Sequence, residues 1–391
     1  MTDAPAPRQY GRPTSLPTEA AVPAPAPAPI DAVTHPLRFT GDGHEYFRIW
    51  IVNLCLTIVT LGIYGAWAKV RTRKYFYGHT WLDGHNFEYT ANPLAILVGH
   101  LVVGAVFIAY NLASTFGTNE DAIPVVSLVL IALFVLVTPL LIVKSLRFLA
   151  RNTVYRGLRF HFHGGTWDAY KKYLLWLIPV PFTFGILYPY VEHLQRRYLA
   201  RNAAYGTARA DFKDNIGEVY ITYLIAMALG TGVYMICGML FLFALIPAIV
   251  GGGFDNPEDL FSNLGALIPT LVIGVIAYVV LLIGGMGVVQ FIKARMLNYM
   301  LSNTTVPGRV AFTSTINPWT LTWIQVSNQL LQFVTLGLYT PWAAVRRATY
   351  MLSNVSVAVA GGMEQFTADA SAEQSAVGEA ATEFFGVDVG F

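Results

Sequence analysis

The chain has 391 residues, of which 55% are hydrophobic and 12% charged, with 25 Lys and Arg against 23 Asp and Glu. Soluble domains carry roughly a quarter charged residues, so this composition excludes an ordinary soluble domain and identifies a polytopic membrane protein. The formal net charge of +2 gives no bulk attraction to nucleic acid, and Cys55 and Cys237, each alone in an apolar stretch, offer no disulfide framework or metal spacing.

Residues 1–35 alternate Ala and Pro with few large apolar side chains, which predicts a disordered, partly extended tail without the apolar core of a cleavable signal peptide. A membrane domain is expected over 36–362. Apolar runs near 49–68, 94–113, 123–143, 173–190, 219–250, 265–289 and 320–342 approach the roughly 20 residues that a bilayer demands. Lys and Arg are absent from 75–143 and from 214–292. Each of these windows holds two runs joined by an acidic loop, STFGTNEDAIP or GGGFDNPEDLFSN, and reads as a transmembrane hairpin whose tip faces away from the cytoplasm. The basic clusters lie elsewhere, so the run at 173–190 leaves the cytoplasm and returns to it. Its Pro179, Pro181 and Gly185 break the helix, as a re-entrant or interfacial segment requires. A strict seven-span reading would put the basic cluster from Arg196 to Lys213 outside, so four spans and three non-crossing segments are expected.

The non-crossing segments are written alike: TLGIYGAWAKVRTRKY from Thr60, TFGILYPYVEHLQRRY from Thr183 and TLGLYTPWAAVRRATY from Thr335 align without a gap. Each follows a Phe-bearing, strand-like piece, giving three parallel internal repeats at about 37–90, 158–212 and 310–366. The two hairpins end on a similar coda, RFLARNTVYRGLRF and NYMLSNTTVPGRVAF. Period-two pieces around Phe39, Phe87, Phe160, Phe212, Phe312 and Phe366 predict small cytoplasmic β elements. Residues 363–391 form an acidic tail, read either as flexible or as a short helix docking Phe384 and Phe385. The expected fold is thus an α-helical polytopic membrane protein with two transmembrane hairpins, three repeated re-entrant or interfacial helical segments and small cytoplasmic β elements.

The F-x-G strand, the TLGIY-x-x-WA-x-VR phrase, the RY that follows and the NT before a second strand resemble the bacterial YjgN-like inner-membrane proteins, a family defined as a domain of unknown function. The resemblance runs from about Leu37 to Gly362. The central copy departs from it, with Tyr190 where the outer copies have Trp67 and Trp342, and no arginine matching Arg71 and Arg346. The resemblance implies a multipass protein of the bacterial inner membrane and supplies no activity, substrate or catalytic residue. Both termini are expected on the cytoplasmic side.

The hairpin helices hold no Asp, Glu, Lys or Arg in their interiors, and His100 and Asn111 are their notable polar residues. Polar side chains are denser in the repeated segments, where Asn53, Thr60, Gln325, Asn328 and Gln332 form a candidate polar path. The alternative is that they satisfy backbone groups or join helices. Tyr64, Trp67, Arg71, Tyr339, Trp342 and Arg346 sit where apolar runs turn basic, which suits a lipid interface. His161 with His163, and His79 with His85, lack a carboxylate or cysteine to complete a metal set. No nucleophile elbow or phosphate loop occurs, so no enzyme and no cofactor are expected. Two functional readings follow: solute permeation or efflux through a path lined by the broken segments, or a non-transporting scaffold or lipid-interacting protein acting through its basic face. Expected partners are membrane lipids, not nucleic acid, with a homo-oligomer or a membrane protein partner as further options.

Overall fold

The computed structural model describes residues 32–116, 122–250 and 264–371. The expected tail up to residue 31, the tips of both acidic loops at 117–121 and 251–263, and Phe384 and Phe385 lie outside the described residues.

The chain is mostly helical and folds as units of strand, two helical legs and strand. The first is β1 (Ala32–Phe39), α1 (Gly43–Val59), α2 (Gly65–Gly78) and β2 (Thr80–Leu82). The second is β3 (His85–Tyr89), α3 (Pro93–Phe116), α4 (Ala122–Arg151) and β4 (Thr153–Tyr155). In the third, β5 (Leu158–Phe162) and α5 (Thr166–Tyr173) precede 3-10 turns at Leu175–Leu177 and Pro181–Thr183, then α6 (Tyr188–Arg201) and β6 (Ala203–Tyr205). Pro179 and Pro181 lack the N–H that would continue α5, so this leg is broken where its counterparts run as one helix. Strands β7 (Ala208–Arg209) and β8 (Asp211–Phe212) lead into α7 (Ile216–Val250), α8 (Leu264–Ser302) and β9 (Thr304–Val306). The last unit is β10 (Val310–Ser314), α9 (Pro318–Val334), α10 (Thr340–Ser353) and β11 (Val355–Ala360).

The pieces expected as small β elements around Phe39, Phe87, Phe160, Phe212 and Phe312 lie in one antiparallel sheet of 11 strands, in the order β7-β6-β5-β4-β3-β2-β1-β11-β10-β9-β8, whereas the piece expected around Phe366 is helical, following the reversal of the chain after β11. Strands of two to eight residues are marginal alone, and serial pairing removes their exposed edges. Only Ala210 separates β7, which pairs with β6, from β8, which pairs with β9, so one kinked strand brings the two edges together into a near-barrel. β1 begins at Ala32, inside the stretch expected as tail, because Ala32 through Pro36 pair with β11. Alternating strand direction places every helical connection on one rim and every tight turn on the other.

The near-barrel is filled. Leu82, Tyr155, Tyr205, Val357 and Val359 form a buried core with Met363, Phe366 and Ala370 of a last helical stretch, 363–371. Gly361 and Gly362, at φ of 71° and 87°, reverse the chain after β11 at little steric cost. Phe366 stacks on Tyr205 at 5.7 Å, and the Tyr205 hydroxyl donates to the Tyr155 carbonyl at 2.9 Å. Thus the first part of the expected tail is a docked helix, and its anchor is Phe366.

All five units share one joint. The side chain of His79, Asn152, Asn202, Asn303 or Asn354 bonds the carbonyl four residues earlier, at 2.7–2.9 Å. The backbone carbonyl of the same residue accepts from the N–H of Thr40, Thr90, His163, Lys213 or Thr315, which follows the strand entering its unit, at 2.9–3.0 Å. This joint closes each helical excursion back onto the sheet. Neighbouring excursions pack in sequence, α2 on α3, α4 on α5, α6 on α7 and α8 on α9, and α10 returns to α1, so the helices form a ring.

Excursion length differs twofold. α1 and α9 have 17 residues each, whereas α7 has 35 and α8 has 39. Among the described residues three helices are long and apolar enough to cross a membrane, over Ser127–Arg151, Ile216–Ile246 and Ile268–Ser302. The fourth expected span, 94–113, coincides with α3.

Candidate functional site

The repeated Thr-x-Gly phrase forms the same turn at each short tip. Leu61 and Gly62, Phe184 and Gly185, and Leu336 and Gly337 all have left-handed backbone, with φ of 49–50° at the first residue and 82–92° at the glycine. A left-handed conformation costs a Leu or Phe about 1–2 kcal/mol, so the turn needs support. Each glycine N–H reaches back to Thr57, Val180 or Gln332, at 2.7, 3.0 and 2.6 Å. The threonine hydroxyl then works in both directions. Thr60 donates to the Leu56 carbonyl at 2.7 Å and accepts from the Tyr64 N–H at 2.9 Å; Thr335 donates to Leu331 at 2.7 Å and accepts from Tyr339 at 3.0 Å. Thr183 repeats the pattern with Val180 and Leu187 at 3.0 and 3.3 Å. Thr60 therefore serves the turn. Satisfied backbone is surrounded by apolar side chains: Leu61, Phe184 and Leu336 are 94, 97 and 93% exposed.

Three of the expected path residues meet at a cavity of about 630 Å³ bounded by α6, α8, α9 and α10. From α9 come Gln325, Asn328, Gln329 and Gln332, spaced i, i+3, i+4 and i+7, hence on one helix face. Gln290 and Lys293 enter from α8, Thr340 and Arg347 from α10, and Arg196 from α6. Among the described residues no carboxylate lines this chamber. Arg196 is held by Glu192 at 2.9 Å, whereas among the described residues neither Lys293 nor Arg347 forms an ion pair; the Arg347 Nε–H meets only the Met351 sulfur, at 3.4 Å. Asn328 ties α9 to α10, since its Nδ2 donates to the Ala343 carbonyl at 3.1 Å and its Oδ1 accepts from Arg346 at 3.2 Å. The Gln329 side-chain oxygen is buried without a partner among the described residues. Spacing along α9 signals Gln329 in the sequence, but Gln290, Lys293, Arg196 and Arg347 reach the chamber through ring packing, which no local pattern encodes.

The remaining expected residues are dispersed. Asn53 is buried on α1 with both amide atoms unpartnered, and Arg71 is exposed. Tyr64 stacks on Trp67 at 6.2 Å and Tyr339 on Trp342 at 6.1 Å. Trp342 also stacks on Phe47 at 5.0 Å, so it packs the α1–α10 joint of the ring. Arg346 faces inward, bonding Ser327 at 3.0 Å besides Asn328. The rings of His161 and His163 are 6.3 Å apart, while His79 and His85 bond the carbonyls of Tyr75 and Asp83. A cluster not foreseen joins α6 to α8: His193, fully buried, has Nδ1 2.8 Å from the Tyr299 hydroxyl and Nε2 3.4 Å from Asp214. Burial holds the His193 imidazole below its ordinary pKa, against the opposing pull of Asp214.

Relatives of this chain have been named but not explained. The inner membrane protein YjgN of Salmonella typhimurium is 35% identical over 132 residues, 34% of this chain and 32% of that protein. Its namesake in Escherichia coli K12 is 33% identical over 134 residues, again 34% and 32% of the two chains. The matched stretch therefore spans about a third of the length of either relative. No solved structure matches. The model of the family described as bacterial protein of unknown function (DUF898) matches residues 34–384, from within β1 to beyond the last helical stretch and so across all five units, and the chain belongs to that family.

Proposed function

We propose that this is a multipass protein of the bacterial inner membrane whose three short excursions, copies of one unit, enter the lipid from the cytoplasmic face without crossing it. The chamber beside the last of them serves solute permeation or efflux. The names of the relatives support the location. Helix lengths support the topology, because every excursion starts from the same rim. At 1.5 Å per residue α7 and α8 rise about 53 and 58 Å, and α1 and α9 about 26 Å. Lys293 stands about 14 Å above the rim by the same rule, and such basic residues mark the cytoplasmic headgroup level. About 40 Å of the long helices then remains for roughly 30 Å of hydrocarbon, whereas the short excursions end about 12 Å in, within the near leaflet. Their turns suit that depth, since backbone in lipid must be satisfied internally. The near-barrel and both termini then lie in the cytoplasm.

The observation that carries the functional reading is the row Gln325, Gln329 and Gln332 lining a cavity on a re-entrant segment. Polar side chains at membrane depth next to broken helices are where solutes bind in transporters. The reading assigns no catalytic step and no cofactor. Its test is exchange of a mixed small-solute pool across proteoliposomes holding wild type, Gln325→Leu or Gln332→Leu, followed by mass spectrometry. A wild-type exchange that both variants lose is expected; equal exchange in all three would remove the reading. A second reading, a lipid-binding scaffold, is favoured by Arg71, exposed and without an ion pair among the described residues. It expects anionic lipid copurifying with wild type to fall in Arg71→Gln, and an unchanged lipid profile would refute it.

A further inference from the structure

We infer that the chamber takes an anion bearing a phosphoryl group. The inference rests on the chamber reading above and names the ligand class of that site. Arg196, Lys293 and Arg347 reach it from three different units, and among the described residues no carboxylate accompanies them on its walls. A cationic ligand would meet the unpaired charges of Lys293 and Arg347 there, beside an Arg196 already paired with Glu192. Charges converging from three helices suit a tetrahedral oxyanion, whose several oxygens can each face a donor, better than a planar carboxylate with two. Lys293 and Arg347 are exposed and without ion pairs among the described residues, so their charge is available to a ligand.

Height sorts the lining further. Along their helices Arg196, Arg347 and Lys293 stand about 8, 9 and 14 Å above the rim, whereas Gln325, Gln329 and Gln332 climb from about 10 to 21 Å. Cations therefore lie at the mouth nearer the sheet, and neutral amides continue towards the lipid. A ligand with a charged phosphoryl end and an uncharged, oxygen-bearing remainder matches that order. The cavity, at about 630 Å³, has room for such a remainder beyond a bare phosphate. A phosphorylated solute and an anionic phospholipid headgroup share this chemistry.

The test uses full-length protein stripped of lipid in neutral detergent. It is offered inorganic phosphate in equilibrium dialysis and, separately, vesicles of phosphatidylcholine and phosphatidylglycerol in equal parts, with retained lipid read by native mass spectrometry. Wild type is expected to bind at least one probe, and Lys293→Gln and Arg347→Gln each to weaken it about tenfold or more. Lys293→Arg should keep binding, and Arg38→Gln, exposed on β1 and outside the chamber, should leave it unchanged. Phosphate binding without phosphatidylglycerol enrichment supports a soluble phosphorylated ligand; enrichment without phosphate binding supports a lipid headgroup. Retention of neither probe by wild type, equal retention of phosphatidylcholine, or undiminished binding in a folded Lys293→Gln/Arg347→Gln protein overturns the inference. Lys293 is exposed, so Lys293→Gln alone decides if the double variant fails to fold. The two readings fail separately. Solute exchange lost in Gln332→Leu, with no probe bound by wild type, keeps the chamber and removes the anion. Charge-dependent probe binding with normal exchange in Gln332→Leu keeps the anion site and removes permeation.

Discussion

The first and last short excursions carry nearly the same phrase, yet the chamber lies beside the last and takes no lining residue from the first. Both form the Thr-x-Gly turn with the same hydrogen bonds, and both place an asparagine eight residues before the exposed leucine, Asn53 and Asn328. In the last copy Asn328 is saturated by Ala343 and Arg346. In the first, Asn53 is equally buried but its side-chain amide has no partner among the described residues, Arg71 being turned out to solvent. At the positions of Gln325, Gln329 and Gln332 the first copy has Trp50, Leu54 and Thr57, and the middle copy has Tyr173, Leu177 and Val180. The shared phrase thus specifies a turn whose backbone is satisfied from within. What distinguishes a site is written in the positions where the copies disagree.

The shared part should break alike in both copies, and with the largest effect. Leu61→Asp or Leu336→Asp puts a carboxylate at a tip expected in hydrocarbon and should cost about 2–3 kcal/mol in denaturant unfolding from proteoliposomes. Unaltered stability would show that the tips are not in lipid. The asparagines should then part company. Asn328→Leu leaves Arg346 and the Ala343 carbonyl short of a partner and should cost about 2–3 kcal/mol, while Asn53→Leu removes two buried, unpaired atoms and should be neutral or stabilising by up to about 1 kcal/mol. Equal losses in the same unfolding assay would mean that Asn53 has a partner under membrane conditions. Thr60→Val and Thr335→Val should each cost about 1–2 kcal/mol, since either leaves one N–H unpaired at the turn. A clear difference between the two would show that the tips differ in surroundings.

The smallest effect lies outside both copies, at His193. Its folded pKa is lowered from 6.5 by burial, so below about 6.5 the unfolded chain takes up a proton that the folded imidazole refuses. Stability should be full above that pH and fall as pH drops, until the folded imidazole itself titrates. His193→Gln should flatten this slope in a pH series of thermal transitions, and an unchanged slope would assign it to other groups.

Much of this was legible in the sequence for a physical reason. Left-handed turns whose backbone is satisfied from within admit few solutions, so Thr60, Thr183 and Thr335 recur, and a run such as Gln325 to Gln332 stands out because polar side chains are costly among apolar ones. The full set of five joints was harder to see. In the long excursions most of the unit consists of lipid-facing residues that any apolar side chain satisfies, leaving only Phe148 with Asn152 and Tyr299 with Asn303 as traces. The near-barrel was hidden for another reason. Strands of two or three residues carry almost no periodicity, and their pairing is dictated by ring closure. Trp342 shows the limit of composition: an aromatic at an apolar–basic boundary suggests a headgroup anchor, and this one also packs against Phe47 of the neighbouring unit.

The pairing of β1 with β11, Ala32 opposite Ala360, sets a timetable for biogenesis. During translation β1 can meet β2 early, but its other neighbour is made only after every membrane segment has left the ribosome. Such distant pairing is slow to form, and an unpaired strand invites wrong partners meanwhile. Integration of the long helices must therefore precede ring closure, with the nascent protein held at the bilayer as an open arc until its final strand arrives and the helical stretch 363–371 locks it from within.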